Sequence, residues 1–500
     1  MGKPGIKTYD SRIKAVHRYE VVDSGIAKIA GMRFHLIGAG GVGMSGLGQL
    51  IIKNSGKVSG SDQTAGSAVD ELCKARADIR IGHKAENVSP QTDAVIISAA
   101  IKESNPELQA ARKKGMPVYK YAQMLGILCN RYEPIAISGT HGKSTTGGWL
   151  VYCLKQLGID TNFIIGAQIN QLGASSGTGE SEYFVVEACE YDRSFLNLRP
   201  RIGCILNIEQ DHLDYYKNED EIIEAFDNFA GGVKAGGVLI ANGYDANTTR
   251  VVRDYRLRQS EKAGGNYKTV RTVTFGFSPG CNYRAGKIKL KSGLYEFEVC
   301  LNGKALGTTH ISLPGRHNIL NALAVVAMGV EAGAQAEQIL EALPGFTGMD
   351  RRFMYKGSVK EIIVLDDYAH HPTEIKATLK AVRQRYRPRR LWCVFQPHQY
   401  SRTRFLLDDF AESFKLADIT IVPEIYFVRD TESVKRQVNA EKLVERIRSK
   451  GLEAVFIDEF EGICEYLKDK VIPGDLVVTM GAGDIWKVAD GFIQWLRENS

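Results

Sequence analysis

From Met32 onward, short apolar runs of strand length alternate with stretches whose apolar residues recur at helical spacing. The apolar run 34–37 meets a glycine cluster, after which 44–52 has helical spacing, predicting a strand, turn and helix unit. The run DAVIISA, residues 93–99, and a helical stretch at 106–114 continue the alternation expected of a parallel sheet covered by helices. A second series starts with a strand at 135–138, a Gly-rich turn and a helix at 144–157. It continues with strands at 183–186 and 202–206, a helix near 219–229 and a strand at 238–241. Between 272 and 312 the segments shorten and alternate, as in LYEFEV, which predicts hairpins added to the sheet. An Ala-rich helix, 318–332, leads to Leu343-Pro344-Gly345. The last third alternates strand 361–365, helix 373–386, strand 391–395, helix 406–416 and strand 419–422, and continues to a strand at 476–480.

This pattern divides the 500 residues into an extension, 1–30, and three α/β domains, 31–132, 133–345 and 346–500; domains of ~100–200 residues are usual. Hydrophobic residues make up 44% and charged residues 24%, which excludes a disordered tail as the whole chain. The net charge of +6 is spread along the sequence and makes no case for nucleic acid. No window approaches the ~18–20 continuous apolar residues of a membrane helix. The N-terminus has no apolar signal segment, so a cytoplasmic protein is expected. Nine widely spaced cysteines without a C-x-x-C pair read as reduced, mostly buried thiols. Glycine is in excess, 51 residues, and glycine is useful where backbone turns sharply or approaches a ligand.

Two glycine clusters fall at strand ends. GTHGKSTT follows one strand and precedes a helix; its backbone N–H groups suit phosphate oxygens, Lys143 adds a charge, and Ser144 or Thr145 offers a hydroxyl to Mg2+. The match to a P-loop is incomplete, since Ile137 stands where its first Gly would be, and a chance GKS is the bland alternative. GAGGVG fits G-x-G-x-x-G, with Asp62 about twenty residues further on, the dinucleotide spacing. Any nucleotide pyrophosphate could use such a turn, and a structural glycine turn is the alternative. Glu187 ends the strand YFVVE and His212 follows another strand, where both can approach a metal beside the phosphate loop, or serve as cap and ordinary loop residue. DDYAHHP and QPHQYSRTR each follow a strand of the third domain and carry Tyr368, His370, His398, Arg402 and Arg404, groups suited to anions or to solvated loops.

Taken in order, HLIGAGGVGMSG with VSGSD, SGTHGKSTT, NIEQDHLD, LPGRHNILNA, GMDRRF, LDDYAHHPTE and FQPHQYSRTR resemble the Mur ligase family over residues 33 to about 485. The resemblance implies an α/β fold of three domains: a Rossmann-like N-terminal domain for a UDP-sugar, a central P-loop ATPase domain with added β segments, and a Rossmann-like C-terminal domain for the amino acid. It is strongest to members that join L-alanine to the carboxylate of UDP-N-acetylmuramate with ATP and Mg2+, through an acyl phosphate, in peptidoglycan precursor synthesis.

Carried over by position, it implies that Gly139, Thr140, His141, Gly142, Lys143, Ser144 and Thr145 cradle ATP, with Asn318 and Asn321 on the adenine side and Arg351 as a further ATP contact. Lys143, Glu187, His212 and Arg352 take the catalytic roles, and Ser144, Glu187 and His212 hold the metal. Gly38, Gly40, Gly41, Gly43, Ser45, Asp62, Ser98 and Ala99 line the UDP-sugar site; Tyr368, His370, His398 and Arg402 face the amino acid. Gln399 stands where these members usually have Arg, and EACEYDRSF is closer to murein peptide ligase, which adds a recycled tripeptide. That activity is the nearest alternative. A nicotinamide-dependent oxidoreductase and a catalytically silent nucleotide-binding regulator are the alternatives of other classes. Oligomeric state has no signature in the sequence.

Overall fold

The computed structural model describes residues 26, 28–262, 269–428 and 430–500, so the expected extension lies almost wholly outside the described residues. Three sheets follow one another along the chain. The first has five parallel strands in the spatial order Asp78–Ile81, Lys57–Asp62, Arg33–Ile37, Ala94–Ile97 and Val118–Lys120. Strand order reverses on either side of Arg33–Ile37, and the crevice beyond such a reversal is where open α/β sheets take ligands.

The central sheet has ten strands, in the order Lys304–His310, Leu294–Leu301, Tyr283–Lys291, Arg271–Gly276, Val238–Asn242, Ile202–Ile205, Glu133–Ser138, Tyr183–Glu187, Asn162–Ile169 and Ala174–Gly177. Its middle is parallel, and antiparallel pairs close both ends. Helices Lys143–Gln156 and His317–Glu331 pack side by side on one face of this sheet and against each other, and the second is buried on nearly every side. The opposite face of the sheet, with Phe184, Val186 and Phe226, shares one continuous apolar cluster with Leu36, Leu47 and Leu128 of the first domain.

The third sheet runs Met354–Val359, Ile362–Asp367, Leu476–Met480, Leu391–Phe395, Ile419–Val422 and Ala454–Phe456, parallel except for the first, edge strand. Apolar clusters cover both its faces, as a sheet built from crossover helices requires.

The structure departs from the sequence reading in specific places. Lys57–Asp62, Asp78–Ile81 and Val118–Lys120 have few apolar positions and were not anticipated as strands. The third domain gains an antiparallel edge strand, Met354–Val359. QPHQYSRTR, expected as loop, folds in part into the helix Tyr400–Phe405, because Tyr400, Thr403 and Arg402 are drawn into the interior. The cysteines are unpaired, and most are buried. No helix among the described residues is long and apolar enough to cross a membrane.

Candidate active site

Strand Glu133–Ser138 lies between Ile202–Ile205 and Tyr183–Glu187, so their C-terminal ends bring three loops together. The glycine loop between Ser138 and helix Lys143–Gln156 passes through φ values of +141° at Gly139 and +83° at Gly142. That left-handed φ at Gly142 favours glycine, and a Cβ there would crowd Asn321 Oδ1 at 3.0 Å. Asn207 templates the loop, its Oδ1 accepting from His141 N at 2.8 Å while its Nδ2 donates to His141 O at 3.0 Å. The helix N-terminus therefore presents the N–H groups of a preformed anion cradle.

Lys143 does not project freely. Its Nζ donates to Gly139 O at 2.5 Å and lies 3.0 and 2.9 Å from the two carboxylate oxygens of Glu190. Glu190 is 2% exposed, and His212 Nε2 stands 3.4 Å from its Oε1. Burial works against both charges, yet each outweighs that cost for the other: Glu190 sits below the usual carboxylate range and Lys143 above the usual lysine range. Sequence reasoning missed Glu190; the acidic segment EACEYDRSF was its only signal. His212 adopts a left-handed φ of +55°, and its buried Nδ1 has no partner among the described residues. Ser144 Oγ donates to Glu187 Oε2 at 2.8 Å. A hydroxyl, a carboxylate and an unpartnered imidazole nitrogen at adjoining strand ends form a donor set that fits a divalent cation.

Beside this loop a cleft of about 360 Å3 separates the second and third domains. His141, Gly142, Thr145, Asn318 and Asn321, half of the expected ATP positions, line it together with Arg352 and Phe353. Asn318 Nδ2 donates to Pro314 O at 2.7 Å, and its Oδ1 accepts from Asn321 at 2.9 Å, which orients both amides. Arg352 faces the cleft above the Tyr368 ring, 4.8 Å from its centroid. Arg351, expected as a further ATP contact, does not line the cleft. Its guanidinium is spent inside the third domain, donating to Asp366 at 3.0 Å and to the carbonyls of Gly481 and Gly483 at 2.7 and 3.0 Å. Asp367, unremarked in the sequence, also lines the cleft, and burial pushes its carboxyl up to about 6 despite Arg352 nearby.

The expected amino-acid residues cluster at the same junction. The Tyr368 and His370 rings meet edge to face at 5.3 Å, and His370 and His398 at 6.1 Å. Burial holds His370 down at about 4, so its ring is neutral at physiological pH. Arg402 is 4% exposed and engages Asp211 Oδ1 at 3.0 and 2.9 Å, so its guanidinium bridges two domains in this conformation. Gln399 is buried, with Nε2 unpartnered among the described residues.

In the first domain the glycine turn closes on Asp62, whose Oδ2 accepts from Gly40 N at 2.8 Å. A Cβ on Gly38, at φ +85°, would lie 2.7 Å from Ser98 Oγ, and one on Gly43 would lie 2.7 Å from the Tyr121 hydroxyl. Ser45 is buried and donates to Ala68 O at 3.0 Å; Gly41 and Ala99 are exposed at the rim. The crevice is thus shaped by close backbone approach, and Asp62 is committed to the loop itself.

Three family comparisons cover the same ground: the Mur ligase catalytic domain matches residues 33–133, the Mur ligase middle domain 137–329 and the Mur ligase glutamate ligase domain 351–483. The UDP-N-acetylmuramate--L-alanine ligase of Clostridium tetani is 39% identical over 464 residues, 92% of this chain and 98% of its own. The enzyme of that name from Caldanaerobacter subterraneus is 40% identical, over 92% of this chain and 97% of its own. Among solved structures, the UDP-N-acetylmuramate-alanine ligase of Thermotoga maritima aligns with a TM-score of 0.76 at 26% identity, covering 94% of this chain and 100% of that one. A murein peptide ligase from Psychrobacter arcticus shares the fold, with a TM-score of 0.68 at 24% identity over 93% and 99% of the two chains. With three consecutive family domains and relatives similar across nine-tenths of its length, the chain belongs to the Mur ligase family.

Proposed function

We propose that this protein joins the amine of L-alanine to the carboxylate of UDP-N-acetylmuramate at the expense of ATP. The observation that carries the reading is its 39–40% identity, over 92% of the chain, to ligases of that name. A free carboxylate has no good leaving group. Its oxygen therefore attacks the γ-phosphorus of ATP, releasing ADP and forming an acyl phosphate; the amine then adds to the acyl carbon, phosphate departs and the nitrogen loses a proton. The protein's part is positioning and charge neutralisation.

Lys143 transfers its contact from Glu190 to the β- and γ-phosphates, and the loop Gly139 to Thr145 holds their oxygens. Ser144, Glu187 and His212 would hold Mg2+, which when bound neutralises phosphate charge and draws the substrate carboxylate toward it. Arg352, poised on the cleft wall, steadies the transferred phosphate. Asn318 and Asn321 line the adenine side. Gly38, Gly40, Gly41, Gly43 and Ser98 shape the crevice for the UDP-sugar, while Tyr368, His370 and His398 border the amino acid. A cytoplasmic location goes with this reading, because ATP is supplied there.

The test is release of ADP and phosphate by the purified full chain with ATP and Mg2+. Turnover is expected only when UDP-N-acetylmuramate and L-alanine are both present, and Lys143→Ala should lower it, per folded molecule, by about two orders of magnitude or more. Equal or faster turnover with the tripeptide would replace this reading by murein peptide ligase. A response to NAD(P)H without ATP use would replace it by an oxidoreductase.

A further inference from the structure

A second set of metal-type donors stands apart from Glu187 and Ser144. His141, Glu209 and His371 each offer a donor atom within 4.8 Å of the others. Glu209 Oε2 is 3.1 Å from His141 Nε2 and 3.7 Å from His371 Nδ1. A tetrahedral ion with ligand bonds of ~2.0–2.2 Å sets its donors roughly 3.3–3.6 Å apart, a spacing that these two separations bracket.

The outer nitrogens are oriented as in known metal-bound histidines. His141 Nδ1 is 3.1 Å from Glu374 Oε1, and His371 Nε2 is 3.3 Å from the carbonyl oxygen of Gln210. Each ring thus turns one nitrogen outward to an acceptor and the other inward to Glu209. Thr373 Oγ1 donates to Glu209 Oε2 at 2.7 Å and fixes the carboxylate. Without metal, the inward nitrogen of His141 donates to Glu209, and His371 Nδ1 accepts a long 3.3 Å bond from Thr373 N at the start of helix Pro372–Tyr386. An ion would replace the first proton and the second, weak bond.

The site also has access. It forms part of the wall between the 360 Å3 cleft, which His141 lines, and a neighbouring cavity of about 330 Å3, which His371 lines; Glu209 and Thr373 line both.

We propose that His141, Glu209 and His371 form a second metal site, of the zinc class, bridging the second and third domains. Two imidazoles and one carboxylate suit Zn2+, Co2+ or Ni2+, whereas Mg2+ prefers an all-oxygen shell. Two ligands come from the second domain and one from the third, so an ion there ties the domains together with one coordination position left for water.

Titrating the metal-free full chain with Co2+ tests this. The expected result is one equivalent bound with the visible d–d bands of a four-coordinate ion. The near-ultraviolet sulfur band that cysteine ligation gives should be absent. One equivalent of Zn2+ should displace the Co2+, and excess Mg2+ should not. His371→Asn keeps a good helix cap and Glu209→Gln keeps the shape; each should lower Co2+ affinity at least tenfold while circular dichroism stays that of the wild type. A sulfur band, a spectrum without four-coordinate bands, or wild-type affinity in either folded variant would overturn the site.

Discussion

Lys143 and Glu190 hold each other's charge inside the protein, so the phosphate loop keeps its lysine in place before nucleotide arrives. A phosphate entering the cradle competes with one carboxylate for one ammonium. The exchange replaces one charge-assisted hydrogen bond of Lys143 by another and leaves the buried Glu190 carboxylate facing His212 Nε2 at 3.4 Å. A second buried carboxylate, Glu107, plays a purely structural part. It accepts from Ser61 Oγ and Asn87 Nδ2 at 2.6 Å, Lys84 N at 3.0 Å and His35 Nε2 at 3.2 Å. Burial alone would raise its pKa, but these donors outweigh burial and hold it at about 2. A folded-state value below the unfolded one means stability that is complete above about pH 4.5 and lost as pH falls toward 2, on the order of 3 kcal/mol. Glu107→Gln should therefore lower the thermal midpoint near neutral pH and flatten its fall between pH 5 and 3. Parallel pH slopes for the two proteins would contradict this account. Residue types can be picked out from the sequence at this scale, Lys143, Glu187 and His212 among them. Pairings cannot: nothing in EACEYDRSF says which acidic residue faces Lys143, because that depends on how a short 3-10 turn, Tyr191–Asn197, follows the strand.

Helix Lys143–Gln156 owes its position to small residues. A Cβ on Gly148 would come within 2.2 Å of Met349 Sδ and 2.9 Å of its Cε, and Met349 is fully buried. Glycine to alanine inside a helix ordinarily stabilises by about 0.5–1 kcal/mol. Here the crowding should reverse the sign and cost about 1–3 kcal/mol, seen as a lower thermal midpoint for Gly148→Ala; an unchanged or raised midpoint would show that the segment around Met349 yields easily. Helix Pro372–Tyr386 starts from a different device, His371 accepting from Thr373 N while Glu374 accepts from His370 N and His371 N. That capping box fixes the backbone at His371, whose Nε2 reaches Gln210 O of the second domain at 3.3 Å. Elements with continuous apolar runs, such as Leu391–Phe395 and Leu476–Met480, were readable because burial on both faces leaves an unbroken hydrophobic signal. Lys57–Asp62 and Asp78–Ile81 were not, since parallel neighbours supply their hydrogen bonds and their side chains carry little apolar periodicity.

Across the whole molecule, the cleft exists because the third domain closes on the second through Arg402 with Asp211, Thr373 with Glu209, and Tyr295 with Gln384. The first of these is buried, and Arg402→Met should leave Asp211 uncompensated at a cost of about 3–5 kcal/mol at the junction. The expected outcome is a more open molecule, with a larger radius of gyration in small-angle scattering, restored when Asp211→Leu is added. A variant as compact as the wild type would show that apolar packing alone closes the domains. The sequence by itself determined the α/β class, the two glycine turns, the order of motifs and the family, because strand and helix periodicity and loop chemistry are local properties of the chain. Tertiary structure alone decided that Glu190 holds Lys143, that Arg351 turns into its own domain while Arg352 faces the cleft, and that His141 and His371 meet at Glu209. These pairings join residues far apart in the chain, and only the packing of sheets and domains sets the distances on which ion pairing and coordination depend.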